Sequence, residues 1–204
     1  MSQHRYSMSF TVGGLFHGES LRIAALYLEL GQWNACRDEV LEKNLLQART
    51  LSSLERIYRE AASRLETLTH HELEFLIACS RQDQAYLLWL AVCRRYQFIA
   101  DFAIEVLRER HLSLKTDLAT SEFDSFFNRK SEWHLELDEI TPTTRGKLRQ
   151  VLYKILREAD LVTANNMINA AMPSPKLVEL IRQSYPSDLL RLPVFESEIT
   201  GTNR

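Results

Sequence analysis

With 204 residues, 45% of them hydrophobic, the chain can bury about 70% of its unfolded surface, so neither disulfides nor a metal is required for folding. Its 25 basic and 27 acidic residues leave a formal net charge of only −2, which excludes a generally basic nucleic-acid coat and makes any basic surface a local one. The cysteines Cys36, Cys79 and Cys93 form no CxxC pair, and no apolar run has signal-peptide length or the roughly 20 residues of a membrane span, so a cytoplasmic protein with no membrane partner is expected.

Residues 1–8 read as a flexible N-terminus. Gly13, Gly14 and Gly18 then precede a helix capped near Glu19 or Ser20 and stopped by Gly31. Neither GxxxxGK[ST] nor a strand followed by GxGxxG is present, so these glycines are turn residues rather than a nucleotide cradle. A second helix is expected over Trp33–Lys43, and a third from Ser52, with Leu54, Ile57, Tyr58, Ala61, Leu65 and Leu68 at helical spacing. Thr69 with Glu72 makes a capping box, which places His70 and His71 in the first turn of a fourth helix reaching Cys79. The HHELE run lacks the spacing of a zinc helix, and no metal site is expected.

The stretch Gln84–Arg110 (QAYLLWLAVCRRYQFIADFAIEVLRER) is the centre of the chain. Its apolar residues point in nearly every direction around a helix, so neighbouring helices must cover it, and a bend is expected near Tyr96. A connector follows over Leu112–Thr120, then a short helix, capped by Ser121, whose Phe123, Phe126 and Phe127 fill core.

Charge then reverses sharply. Asp117–Glu139 holds seven acids against two bases, a local net of −5, whereas Thr141–Arg157 holds Arg145, Lys147, Arg149, Lys154 and Arg157 and no acid, a local net of +5. Thr141 and Pro142 open a helix there. Leu161-Val162 and Met167-Ile168 flank the turn-prone residues 163–166 and predict a small hairpin. Pro173, Pro175, Pro186 and Pro193 break the remainder into one helix (Lys176–Gln183) and a shorter piece at Asp188–Leu190. The predicted class is mainly α: a compact multi-helix protein around a central buried helix, with one small β-hairpin. Its expected divisions are a flexible 1–8, an N-terminal helical subdomain 9–115, a C-terminal helical subdomain 116–195 carrying the basic helix, and a flexible tail 196–204.

No nucleophile elbow, catalytic triad or cysteine-protease context is present. The pair Asp138 and Glu139 reads as a solvated acidic face, and His4, His17, His111 and His134 are singletons. No enzyme, cofactor or small-molecule substrate is expected. The basic helix is different in arrangement as well as in count. Leu148, Val151, Leu152, Ile155 and Leu156 form one apolar face, and the opposite arc carries Lys147, Arg149, Tyr153, Lys154 and Arg157, with Gln150 between them. With Arg145, these are the candidate nucleic-acid contacts, since donors in such a strip match phosphates and reach base edges. A solvated helix face is the competing reading, although such faces ordinarily mix in Glu and only Glu158 is present. With the hairpin, the unit would look like a winged helix-turn-helix.

GLFHGESLRIAALYLELGQW, EKNLLQARTLSSLERIYREAASRL, LLWLAVCRRYQFIADFAIEVLRER, FFNRKSEWHLEL and TTRGKLRQVLYKILREADLV together resemble the BrxA family of bacteriophage exclusion (BREX) defence systems, over about Ser9–Phe195. The resemblance implies a small helical protein, similar in part to the antitermination factor NusB, that binds double-stranded DNA and works with other BREX components without enzymatic activity of its own. None of these segments fixes a DNA-contacting residue, so the candidate residues rest on charge alone. The expected function is therefore a non-enzymatic, DNA-binding accessory component acting mainly through phosphate contacts. The alternatives are a protein-interaction scaffold, in which the acidic and basic segments each dock a partner, and a structured-RNA binder in which an exposed Tyr153 stacks on a base.

Overall fold

The structure is a computed structural model that describes residues 5–195; residues 1–4 and the tail 196–204 lie outside the described residues. The predicted mainly-α class is what it shows. Among the described residues ten α-helices follow in order: α1 (His17–Leu30), α2 (Trp33–Lys43), α3 (Leu51–Leu65), α4 (His70–Ala78), α5 (Arg81–Arg95), α6 (Gln97–Phe102), α7 (Glu109–Leu112), α8 (Thr120–Ser131), α9 (Pro142–Glu158) and α10 (Pro175–Ser184). A π-helical turn, Ala103–Arg108, joins α6 to α7.

Local chemistry accounts for most of these boundaries. Gly31 takes a left-handed φ of 71° and returns its N–H to Tyr27, ending α1. Thr50 caps α3, and the Thr69–Glu72 box closes reciprocally at 2.8 and 3.2 Å at the start of α4. α1 departs from expectation: it starts three or four residues early, behind Phe16 at φ 56°, with no side-chain cap. α8 likewise starts at Thr120 behind Ala119, so Ser121 is not its cap.

The central element is broken rather than bent. Tyr96 is extended (φ −126°, ψ 96°) and serves as both the end of α5 and the cap of α6. Its buried phenol donates to Glu60 at 2.6 Å, and its ring meets Phe10. From Ala85 to Cys93 every residue of α5 is buried, as its uncharged sequence required. Phe98 and Phe102 then meet Phe123 and Phe126 edge-on or tilted, which seats α8 on α6.

The C-terminal segment returns across the expected boundary at residue 116. Trp89 Nε1 donates to the Arg191 carbonyl at 2.9 Å, and Arg94 pairs with Asp188 at 2.6 Å. At the other end, Tyr6 corrects the expectation of flexibility for the described part of 1–8, residues 1–4 lying outside it. It is buried, stacks on His134 at 3.9 Å, and its backbone N–H donates to Glu136 at 2.6 Å. An aromatic ring there gains apolar contact that a wholly polar terminus could not.

After α9 the chain makes the predicted hairpin in miniature. Thr163 N–H donates to Met167 at 2.8 Å, Val162 bridges Ile168 antiparallel, and Asn166 turns the chain at φ 59°. A third piece was not foreseen: Leu118 N–H donates to Asn166, and Ile168 N–H to Thr116, each at 2.7 Å, bridging Asp117 to Met167. The strand-like piece at 167–168 therefore lies between the one at 116–118 and the one at 162–163, with α8 and α9 intervening in sequence.

Candidate nucleic-acid interface

α9 is opened by Thr141, whose hydroxyl accepts from Thr144 N–H at 3.2 Å, and by Pro142 in its first turn. Leu148, Val151, Leu152, Ile155 and Leu156 are buried, as the apolar face requires. The six candidate residues divide into two groups.

Arg145, Arg149 and Tyr153 are turned toward α8. Arg145 Nε pairs with Asp124 at 3.1 Å, its Nη2 donates to the Asp124 carbonyl at 2.8 Å and its Nη1 to Asn128 at 2.7 Å, while its guanidinium lies 4.4 Å from the Phe127 ring centroid. Arg149 Nη1 pairs with the other Asp124 oxygen. Tyr153 is corrected outright: it is only 2% exposed and its hydroxyl donates to the Ala119 carbonyl at 2.6 Å. Burial, reinforced by the nearby Glu122, pushes its phenol well above the ordinary range, so it stays a neutral donor. A ring in this position cannot stack on a base. In helical projection Tyr153 and Arg149 lie on the flank of α9 that α8 covers, a neighbour that the α9 sequence alone does not reveal.

Lys147, Lys154 and Arg157 are exposed. Thr143 and Gln150 are exposed with them, and the order 143, 147, 150, 154, 157 steps by four, three, four and three along a single stripe. At about 100° per residue the five fall within about 80° of arc. Among the described residues Lys147 has no ion-pair partner, and Lys154 has only the loose i,i+4 contact to Glu158 at 3.6 Å. Arg157 Nη1 donates to Asn166 Oδ1 at 3.2 Å, tying the end of α9 to the hairpin turn. Glu158 is itself engaged, accepting from Leu15 N–H at 2.5 Å.

The basic surface continues beyond α9. A cavity of about 570 Å³ lies between α1, α5 and α9, and Arg81 joins Lys154, Arg157 and His17 in lining it, with the carboxylates of Glu19 and Glu158 also on its wall. Arg81, like Thr143, went unread in the sequence. Thr143 could have been found by extending the stripe one step back from Lys147, whereas nothing local links Arg81 to α9.

The acidic segment is largely occupied within the molecule. Asp117 and Glu122 hold Arg110, each at 2.7 Å, Asp124 holds the two arginines above, and Glu136 holds Tyr6 and His134. Among the described residues no three His, Cys, Asp or Glu side chains converge as a metal site would, and no helix is long and apolar enough to cross a membrane.

The BrxA family model matches residues 4–185. The chain is similar to a BREX protein BrxA of Escherichia coli O9:H4 (strain HS), 25% identical over 182 residues that span 88% of this chain and 85% of that protein. It is also similar to a BREX protein BrxA of Paramagnetospirillum magneticum, 24% identical over 193 residues, with 94% of this chain and 97% of that one covered. In three dimensions it resembles the crystal structure of an uncharacterized protein from Magnetospirillum magneticum, with a TM-score of 0.80, 22% identity, and 93% and 98% of the two chains covered.

Proposed function

The chain belongs to the BrxA family, and from that membership we propose that it is a non-enzymatic, cytoplasmic component of a BREX phage-defence system that binds double-stranded DNA mainly through phosphates. Lys147, Lys154 and Arg157 make the principal contacts, with Arg81 beside them. The observation that carries this reading is the α9 stripe: every side chain on it is a hydrogen-bond donor, and none is an acid. A merely solvated helix face would interleave Glu with Lys and Arg. Arg145 and Arg149 serve instead to hold α9 against α8.

Among the alternatives, the RNA reading loses the exposed tyrosine, one of its two supports, and is left with the NusB likeness alone. The scaffold reading retains one favourable observation, since Trp133 and Leu135, on the connection between α8 and α9, are 69% and 77% exposed. Exposed apolar residues of that size suit a protein partner, including another BREX component.

Binding of the full chain to duplex DNA, hairpin RNA and single strands, followed across a salt series, tests the reading. Duplex should be preferred. Three phosphate contacts give a slope of log affinity against log salt near about −2.7, at about −0.9 per contact. No measurable duplex binding at low salt would overturn it. ATPase, nuclease and methyltransferase assays on the purified protein should show no turnover, and activity abolished by a point substitution would refute the non-enzymatic part.

A further inference from the structure

We infer that Trp133 and Leu135, with the carboxylates around them, form a docking site for a cationic segment of a protein partner, in which an Arg or Lys side chain lies over the Trp133 indole. This goes beyond the duplex-binding reading and does not rest on it. Three features of the structure lead there.

One is the exposure itself, which is built into a fixed turn. Of the three tryptophans, Trp89 is fully buried, Trp33 is half-buried with its ring 4.0 Å from that of Tyr27, and Trp133 is 69% exposed. Leu135 stands two residues on, 77% exposed, and between them His134 turns inward onto the Tyr6 ring. The backbone that carries them is tied down. Trp133 and His134 N–H both donate to the Lys130 carbonyl, at 3.1 and 3.0 Å, Leu137 N–H donates to the His134 carbonyl at 2.9 Å, and the Leu137 side chain is buried. Two large apolar side chains held outward on such a turn are preorganised for contact, since little chain ordering is left to be done when a partner arrives. Trp is also among the residues that most often anchor an interface.

The second is where the uncommitted acid lies. Of the seven acids between Asp117 and Glu139, four (Asp117, Glu122, Asp124 and Glu136) are taken up by partners within the molecule. The three that remain, Glu132, Asp138 and Glu139, are exposed and flank Trp133 and Leu135 in the chain. Among the described residues Glu132 and Asp138 have no ion-pair partner, and Glu139 has only Arg5 at 3.6 Å, with the two side chains 76% and 75% exposed. The third is a cleft of about 360 Å³ whose wall brings Trp133, Leu135, Glu136 and Glu139 together with Arg5 and His134. A cation entering this cleft meets an aromatic face and a carboxylate at once, which favours Arg or Lys. The loose, exposed pair with Arg5 is readily exchanged for a partner's cation. Nucleic acid does not fit, because its phosphates would face the three exposed carboxylates. An apolar centre within a charged rim is the anatomy of a protein interface, and the rim sets which partner approaches.

Photo-crosslinking tests this, with benzoylphenylalanine in place of Leu135 in the full-length chain, so that Trp133 and the carboxylates are left intact. Expressed with the other components of its BREX system, the chain should capture one component at one segment. That segment should carry net positive charge and place an Arg or Lys beside an apolar residue. A synthetic peptide of the captured segment should bind the full chain, followed by fluorescence anisotropy, with an affinity that falls as salt rises. Trp133→Ala should weaken it by roughly tenfold or more. Trp133→Phe should weaken it less than Trp133→Leu, because a phenyl ring keeps an aromatic face for the cation. Replacing Glu132, Asp138 and Glu139 together by Gln should remove most of the salt dependence. These side chains are exposed, so the fold should be kept, and circular dichroism checks it. Duplex affinity and salt slope of Trp133→Ala should match the wild type, which keeps failure here distinct from failure of the duplex reading. Capture of a second copy of this chain, of a neutral or acidic segment, or of nothing overturns the inference. Equal binding of the peptide by wild type and Trp133→Ala overturns it too.

Discussion

Two clusters of charge in this molecule both contain arginine and sit in opposite surroundings. In the interior, Arg94 is 7% exposed and every arm of its guanidinium is used: Glu72 takes two donors at 2.6 and 2.8 Å, Asp188 takes Nε at 2.6 Å, the Thr67 carbonyl takes Nη1 at 3.0 Å, and the Tyr185 ring lies 4.1 Å away. Arg191 closes the set on the second Asp188 oxygen. Two arginines meet two carboxylates, and no net field leaves the site. On the α9 stripe three cations face water, with only the loose contact of Lys154 to Glu158 at 3.6 Å among the described residues, and their field extends into solvent. A charge becomes functional through what is missing opposite it, and that is a property of packing rather than of residue type.

The largest effect should come from breaking the interior set. Glu72→Ala leaves Arg94 buried with half its partners gone and also removes the α4 capping box, so stability should fall by about 3–5 kcal/mol, seen as a lower denaturant midpoint at an unchanged m-value. The protein that remains folded should bind duplex DNA with the wild-type salt slope. A change in slope would mean that the two clusters are coupled.

Next in size is the reverse experiment. Replacing Lys147, Lys154 and Arg157 together by Gln should flatten the salt slope by about 2.7 units and leave stability within about 0.5 kcal/mol, since none of the three is buried. The matching control, Arg145→Gln with Arg149→Gln, should do the converse. Those pairs are a quarter to a third exposed, so stability should fall by about 0.5–1 kcal/mol while the slope is held. Equal slope changes from the two sets would erase the division of α9 into a structural flank and an outward stripe.

That division marks where sequence reasoning ran out. The apolar face of α9, its Thr141 cap and the reversal of charge at residue 141 are all local patterns, and each was legible. Which of the basic side chains are free depends on Asp124, which lies 21 residues before Arg145 on another helix, and no periodicity within α9 reports it. Tyr153 was misplaced for the same reason. A helical wheel gives the direction of a side chain but not how far a neighbouring helix wraps around the flank. The hairpin was visible in its turn residues, yet the piece at 116–118 is too short to show a period, and its partner lies some fifty residues downstream. Tyr6 was hidden by the opposite error, in which proximity to a terminus stood in for burial.

The smallest expected effect is a pH dependence that again separates the two clusters. Burial pushes the Glu72 carboxyl up, but the hydrogen bonds from Arg94 and Thr69 outweigh it and hold the group below its ordinary 4.5. A carboxylate depressed in the folded state contributes stability in full above its unfolded value, and the contribution is lost as pH falls through the folded one. His17 acts earlier. Its burial and the facing charge of Arg81 lower it below 6.5, so the unfolded chain takes up this proton first and stability begins to fall as pH drops through that value. The other charged groups around the cavity, Glu19 on its own helix and Lys154, Arg157 and Glu158 across from it on α9, are present in both arms of a comparison between wild type and His17→Gln. The wild-type melting temperature should therefore decline slightly between pH 7 and pH 5.5 and more steeply below pH 4.5, and His17→Gln should remove only the first decline. Loss of the second decline as well would show that the interior carboxylate is not what acid titrates.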